Sequence, residues 1–400
     1  MGGPAQVLAW RALVAAAALA APVAIVSPLA IAPLFIVVVH ACLPCFVAAR
    51  AWRELAAPLP ALLAAGIAWA GASAAWAIDP ARVATSLPPI ALSACGGLVL
   101  VAVARRISGP AHARLGAALA AGICLALAVL CVEAMARYLD MLPTPHARIV
   151  ALLGRGFDPA ILNRATTVVA ISCWIAAALA WRRGRRATAL LLPLWAIAIL
   201  PAFSSQAAIL AWLAGAASAI GAACAPRLSR AAIVAGIVGG FALMPAIPNW
   251  APFHDHFADR TQTGSVWHRA EIWSLVASRI AEKPVLGWGL DSSRAMPGGK
   301  DKVDGFNERL PLHPHNGILQ LWLELGAVGA AIGAAIAALA AWRATRPDQD
   351  RAARFAMAGA LAAALPVYAT AYGAWQGWWM ATLWLVAAFA QVAARAEPPR

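Results

Sequence analysis

His313-Pro314-His315-Asn316-Gly317-Ile318-Leu319-Gln320 marks the point where this chain changes character. Before it lies the one long polar stretch, residues 249–316, which carries His254, His256, His268, His313 and His315. After it an apolar run continues to residue 342. Outward in both directions the chain consists of apolar segments broken by short polar connections. Hydrophobic residues make up 62% of the 400 and mean hydropathy is +0.74, whereas soluble domains are about 45–50% apolar.

A helix needs roughly 20 predominantly apolar residues to cross a bilayer. Twelve segments are read as such: 7–26, 28–48, 57–77, 87–104, 115–138, 162–181, 188–203, 206–224, 231–248, 317–342, 355–372 and 374–394. The expected fold is an all-α integral membrane protein of about 12 transmembrane helices, with one large extramembrane loop containing an amphipathic helix. Residues 1–248 hold spans one to nine, 249–316 the loop that carries the chemistry, and 317–400 spans ten to twelve with a tail. The first apolar segment runs into the second without a convincing small-residue cleavage site, which reads as a span and not as a leader.

The net charge of +14 does not read as a nucleic-acid footprint, because of where the charge lies. Arg50/Arg53, Arg105/Arg106/Arg114, Arg182/Arg183/Arg185/Arg186, Arg227/Arg230 and Arg343/Arg346/Arg351/Arg354 all fall in alternate connections. With Arg11, Arg395 and Arg400 they make 18 basic residues against the four acids Glu54, Asp348, Asp350 and Glu397, a surplus equal to the whole net charge. Cytoplasmic loops carry such an excess of Lys and Arg. Both termini are therefore expected inside and residues 249–316 outside, in a loop whose eight basic and eight acidic residues balance. All seven cysteines fall in apolar spans, so no disulfide framework is expected in the loop, and Cys42-Leu43-Pro44-Cys45 reads as packing.

Within the loop, Val266–Lys283 reads as a surface helix, with Ser265 as N-cap and Pro284 as its stop. Ala270, Trp273, Val276, Ala277 and Ile280 gather on one face; Glu271, Ser274, Ser278 and Glu282 gather on the other. Arg269 projects from the apolar face. A guanidinium there needs an anionic or hydrogen-bonding partner, since an unpaired buried charge is prohibitive, and Arg suits bidentate phosphate recognition. An internal ion pair or snorkelling side chain is the alternative. Pro314 is a good first-turn residue, which places His315 in the first turn of the following span, where the helix dipole disfavours imidazolium. The same helix end offers N–H groups to an anion, with Asn316, Gln320 and Glu324 farther along it. Arg164 opens another span at the outer surface, unfavourably for the dipole; it awaits an anion or snorkels to lipid headgroups. Glu133 and Arg137, four apart, read as a structural pair. Two His-x-His pairs, 254/256 and 313/315, are weak evidence for a metal, so neither metal nor other cofactor is expected.

His268-Arg269-Ala270-Glu271-Ile272-Trp273, Lys283-Pro284-Val285-Leu286-Gly287-Trp288-Gly289, His313-Pro314-His315-Asn316-Gly317-Ile318-Leu319-Gln320 and Glu324-Leu325-Gly326, in that order, resemble the O-antigen ligase and O-antigen polymerase superfamily. Asn163-Arg164 before an apolar helix and Ser205-Gln206-Ala207-Ala208 look like ligase-type members, although many relatives place an Arg where this chain has Gln206. The resemblance implies an inverting, metal-independent glycosyl transfer on the periplasmic side of a bacterial inner membrane. A ligase would move a glycan from undecaprenyl pyrophosphate to lipid A-core in lipopolysaccharide biosynthesis. On that reading His315 is the base, and Arg269 and Arg164 hold the pyrophosphate. His313, Asn316 and Gln206 are further candidate substrate-binding residues. A polymerase, whose acceptor is another lipid-linked glycan, and a protein-glycosylating relative share the pattern. A transporter is the reading from another class; internal pseudo-symmetry together with binding-site helices broken at the membrane midplane would be its mark, whereas the polar residues here lie in the loop and not midway along the spans.

Overall fold

The computed structural model describes residues 3–55, 58–107, 110–141, 143–152, 154, 160–203, 205–250, 265–303 and 307–395. Among them twelve helices are long and apolar enough to cross a membrane, and the all-α architecture is as the hydropathy pattern predicts. The helices are α1 (Pro4–Val26), α2 (Ile31–Ala48), α3 (Pro58–Ala72), α4 (Pro80–Ala104), α5 (Pro110–Tyr138) and the short α6 (Pro145–Leu152). There follow α7 (Ala160–Arg182), α8 (Arg186–Ile199), α9 (Gln206–Cys224), α10 (Pro226–Leu243), α11 (Ser265–Glu282), α12 (Gly317–Ala344), α13 (Arg351–Thr370) and α14 (Gly377–Arg395).

α7 is the axis of the bundle: 83% of its apolar window is buried, against 11% for the peripheral α3 and α10. α9 and α13 pack through a stripe of small residues, Ala208, Ala211, Gly215, Ala219 and Ala222 facing Ala353, Ala356, Ala360 and Ala363. Small side chains let backbones approach closely, the packing that replaces hydrophobic driving force in lipid. Cys42 and Cys45 are buried on α2, which packs against α1, α4 and α14.

The basic connections meet at one end. Arg105 donates to the Glu54 carbonyl at 2.6 Å and to Gln391 at 2.8 Å, and Arg395 pairs with Glu54 at 2.9 Å. Arg182 donates to the Ala393 carbonyl at 2.7 Å and pairs with Asp350, and Arg354 donates to the Ala222 carbonyl at 2.9 Å. The polar loop closes the other end. Ser73 accepts from the Leu290 N–H at 3.0 Å, and Ser86 donates to Asp291 at 2.9 Å. Glu133 is bridged by Arg137 at 3.2 Å and accepts the His146 N–H at 3.1 Å, so that pair pins α6 onto α5 as a structural bridge.

Two expectations need correction. α11 keeps Ser278 and Glu282 at the surface but buries a wider face than predicted: Ile272 and Leu275 are buried along with the predicted apolar face, in a cluster with Met296, Leu310, Leu319 and Leu323. And α12 is broken. Gly326, its tenth residue, has φ 63° and ψ −166°, about 15 Å along the helix at 1.5 Å per residue. The carbonyls freed there do not face lipid. Leu323 and Glu324 accept from the N–H groups of Trp288 at 2.9 Å and Gly289 at 2.8 Å, and Ala327 donates to the Pro284 carbonyl at 2.8 Å. The Trp69 indole donates to the Leu325 carbonyl at 2.9 Å. The segment 284–289 thus enters the break as a protein plug, satisfying the rule that irregular backbone at membrane depth must find partners. A Cβ on Gly326 would lie 2.1 Å from the Val285 carbonyl oxygen, and one on Gly287 2.6 Å from the Glu324 backbone.

Candidate functional site

The break in α12 is braced by Glu324, two residues before it. Its carboxylate is fully buried and accepts four bonds. One oxygen takes the Ser293 hydroxyl at 2.6 Å and the Gln320 amide at 2.9 Å; the other takes the Asp291 N–H at 2.7 Å and the Trp375 indole at 2.6 Å. Gln320 also accepts the Ala374 N–H at 2.8 Å. One side chain therefore joins α12, the loop after α11 and the short connection 371–376, and these three carry the site.

α12 begins at Gly317, three residues after the Pro314 start read from the sequence. Asn316 is the N-cap: its Oδ1 accepts from the Ile318 and Leu319 N–H groups at 3.0 Å each, and its Nδ2 donates to the Met244 sulfur at 3.3 Å. Asn316 is completely buried. Its side chain is committed to the helix end, so it positions the site and does not face a substrate. His315 consequently lies before the cap and not in the first turn, with φ 54°. A non-glycine residue in the left-handed region is strained by about 1–2 kcal/mol. Such strain persists only where the surroundings dictate it. Here they do: the Trp273 indole donates to the Pro314 carbonyl at 2.8 Å, and the His315 N–H donates to His313 Nδ1 at 3.1 Å.

These bonds fix both tautomers. His315 Nδ1 lies 3.1 Å from the Ala371 carbonyl oxygen, which only accepts, so Nδ1 carries the proton and Nε2 keeps its lone pair. Nε2 has no hydrogen-bond partner among the described residues. His313 is the opposite case. Its Nδ1 accepts, so its proton is on Nε2, which meets the Gln376 side-chain amide at 2.7 Å; the amide must present its oxygen there. Both nitrogens of His313 are engaged with protein groups. The two rings stand 4.4 Å apart between centroids.

Burial pushes the His315 pKa down to about 4, with Arg269, His268 and Arg164 adding to the shift and the Ala371 bond opposing it. Burial likewise lowers His313 to about 3, followed by the effects of His315, Arg294 and Arg164. Desolvation, with the nearby cations, is therefore what keeps His315 neutral, in place of the helix dipole expected from its sequence position.

Arg269 and Arg164, 105 positions apart in the chain, act on the same two groups. Both lower His315, and both draw down Tyr372, whose pKa is raised by burial and lowered by its bond to Thr167. Tyr372 meets Thr167 at 3.2 Å and donates to the Asn163 carbonyl at 3.5 Å, linking the 371–376 connection to the N-terminal turns of α7. Burial lowers the pKa of Arg269. Arg164 lies over the Trp378 ring, 5.9 Å from its centroid. Neither guanidinium has a carboxylate partner among the described residues, and the nearest acid on α12, Glu324, is already saturated. The predicted anion requirement of Arg269 is thus unmet by the described residues.

Gln206 opens α9 as an exposed side chain and makes no hydrogen bond to this cluster among the described residues. His254 and His256 lie outside the described residues. Sequence reasoning missed Ala371, Tyr372, Trp375 and Gln376. Their only signal is an aromatic, glycine-containing connection between two spans on the side of the membrane predicted to carry the loop.

Residues 189–334 match the family model described as O-antigen ligase. That segment is similar to the O-antigen ligase family. The chain is 32% identical over 174 residues, 42% of each chain, to a protein of Rickettsia conorii named "Putative polysaccharide ligase". It is 30% identical over 189 residues, 46% of each chain, to a protein of the same description from Rickettsia felis. The alignments span less than half the length of these relatives. The O-antigen ligase segment holds Arg269, His313, His315, Glu324 and Gly326, while Arg164 and the 371–376 connection lie beyond it. The fold brings these outlying groups to His315.

Proposed function

We propose that this protein is a glycosyltransferase of the O-antigen ligase type. It would transfer a glycan from undecaprenyl pyrophosphate to lipid A-core, at the periplasmic face of a bacterial inner membrane and with both termini cytoplasmic. The observation that carries the reading is His315: a neutral imidazole with its Nδ1–H tied to the Ala371 carbonyl and, among the described residues, an Nε2 lone pair without a partner and two guanidinium groups without a carboxylate bearing on it. The gathering of the basic connections at the far end of the bundle supports the orientation, and the description of the relatives supports the substrate class.

In the reaction the acceptor hydroxyl attacks the anomeric carbon from the face opposite the pyrophosphate. Its proton passes to His315 Nε2, the bond from the anomeric carbon to the phosphate oxygen breaks, and the pyrophosphate leaves with the electron pair. General-base catalysis of this kind contributes about 10²–10⁴-fold. Arg269 and Arg164 hold the pyrophosphate and stabilise the charge that grows on it. The donor also tunes the base. Its anionic charge offsets the two guanidinium groups that depress His315, so imidazolium becomes easier to form once substrate is bound.

The test is lipopolysaccharide banding from cells lacking the gene, complemented with wild type or His315→Ala. Bare core in the deletion, full-length glycan accumulating on the lipid carrier, and a ladder restored by wild type alone are the expected results. Single-repeat glycan on lipid A-core in the deletion would show that transfer survives, and would make the protein a polymerase.

A further inference from the structure

At the end of the bundle remote from His315 the basic side chains are not alike. Arg182 pairs with Asp350 and Arg346 with Asp348, one cation to one acid. Around Glu54 the balance is different. Arg395 pairs with its carboxylate at 2.9 Å and Arg106 at 3.5 Å, and Arg105 donates to its backbone carbonyl at 2.6 Å. No other carboxylate pairs with any of the three among the described residues, so three guanidinium groups share a single acid.

A fourth cation bears on the same place. Arg343, half-buried in the last turn of α12, has no side-chain partner among the described residues. Burial pushes the Arg105 pKa down, Arg343 and Arg395 push it further, and Glu54 opposes them. Four guanidinium groups from the ends of α4, α12 and α14 thus converge with one counter-charge between them. Partly buried charges are screened by salt much less than exposed ones, so this surplus calls for a bound anion. The planar fork of an arginine matches two oxygens of a phosphate group.

The position of the cluster says which anion. α12 and α14 begin beside the site, at the Asn316 cap and just after Gln376, and α4 begins where Ser86 meets Asp291 of the loop. At 1.5 Å per residue these helices run roughly 30–40 Å to the cluster, the thickness of a bilayer's hydrocarbon core. The cluster therefore lies at the opposite membrane surface, level with lipid phosphates. Trp52, two residues before Glu54, and Trp342, next to Arg343, are exposed indoles, of the kind that sits at the headgroup level. Basic pockets between helix ends are where anionic headgroups bind. We propose that Arg105, Arg343 and Arg395 form a binding site for the phosphodiester headgroup of an anionic membrane phospholipid, on the face of the bundle opposite His315. The bound lipid ties together the ends of three helices whose other ends carry the site. The proposal is independent of the transfer reading.

The test is thermal unfolding of the full-length protein in dodecyl maltoside micelles, with increasing phosphatidylglycerol, phosphatidylcholine or inorganic phosphate. Phosphatidylglycerol should raise the melting temperature to a plateau, and the other two should not. Arg343→Gln and Arg395→Gln should each weaken the apparent affinity for phosphatidylglycerol at least tenfold. Arg186→Gln, which removes an exposed cation stacked on Trp181, should leave it unchanged. An equal rise with phosphatidylcholine, or wild-type affinity in both cluster variants, would overturn the site. An equal plateau with inorganic phosphate would make the anion a soluble one and overturn the lipid. Should the variants fail to fold, native mass spectrometry of wild type from an equimolar mixture of the two lipids decides: retained phosphatidylglycerol supports the site, and no preference overturns it.

Discussion

The Ala371 carbonyl oxygen lies 3.1 Å from His315 Nδ1, and the two residues come from connections separated by the whole of α12 and α13. That contact decides which nitrogen of His315 can take a proton. It also means that the imidazole is oriented by a segment outside the matched residues 189–334.

Activity should report the depressed pKa of His315. kcat/KM for transfer should be flat from about pH 8 to pH 5.5 and fall only as the imidazole protonates near its value of about 4. Stability should run in the same direction. Below pH 6.5 an unfolded histidine takes up a proton that folded His313 and His315 refuse until about 3 and about 4, so stability falls as pH drops through that window. A pH–rate profile and thermal unfolding in detergent measure the two effects; an activity limb at pH 6.5 would contradict the first.

Removing a guanidinium should have two consequences. Arg269→Ala or Arg164→Ala should raise KM for a pyrophosphate-linked donor by about tenfold or more, the scale of a lost charge-assisted contact of ~1.4 kcal/mol or greater. Because both cations depress His315, each variant should also move the acid limb upward. Arg269→Lys should recover only part of the affinity, since a lysine lacks the planar fork. Steady-state kinetics across pH separate this from simple structural loss, which would leave the limb in place.

Gly326→Ala should disrupt the fold at α12. The position combines a left-handed φ of 63° with a Cβ placed 2.1 Å from the Val285 carbonyl oxygen. Strain of about 1–3 kcal/mol for the backbone alone adds to expulsion of the 284–289 plug. Recovery of monodisperse protein in detergent should collapse, whereas Gly236→Ala, on a helix face with open space around it, should be neutral.

Glu324→Gln tests the brace. An amide nitrogen would replace an oxygen that accepts two donors, and each donor left unpaired costs about 1–3 kcal/mol. Melting temperature should fall by several degrees, and transfer should fall with it, because one pair of donors, Ser293 with Gln320 or Asp291 with Trp375, loses its shared acceptor.

The membrane architecture was legible because hydropathy and Arg placement are local properties: all twelve spans overlap the observed ones. The amphipathic face of α11 and the misplacement of Arg269 were legible for the same reason, through periodicity. What escaped was everything fixed by tertiary contact. Asn316 before Gly317 is a readable N-cap, yet Pro314 was given the helix start, and that shifted His315 into a turn it does not occupy. Gly326 sits in a run whose polar residues are Gln320 and Glu324, and only the docking of 284–289 reveals why a glycine is required. Tyr372 and Gln376 lie in a six-residue connection with no motif, and their role appears once Arg164 and His315 share it.

The most direct test of the central claim is transfer by purified protein from a defined undecaprenyl-pyrophosphate glycan to isolated lipid A-core, comparing wild type with His315→Ala at pH 7. The account predicts that kcat falls at least 10²-fold in the variant while donor binding and folding are retained. A His315→Ala enzyme with kcat near wild type would contradict it.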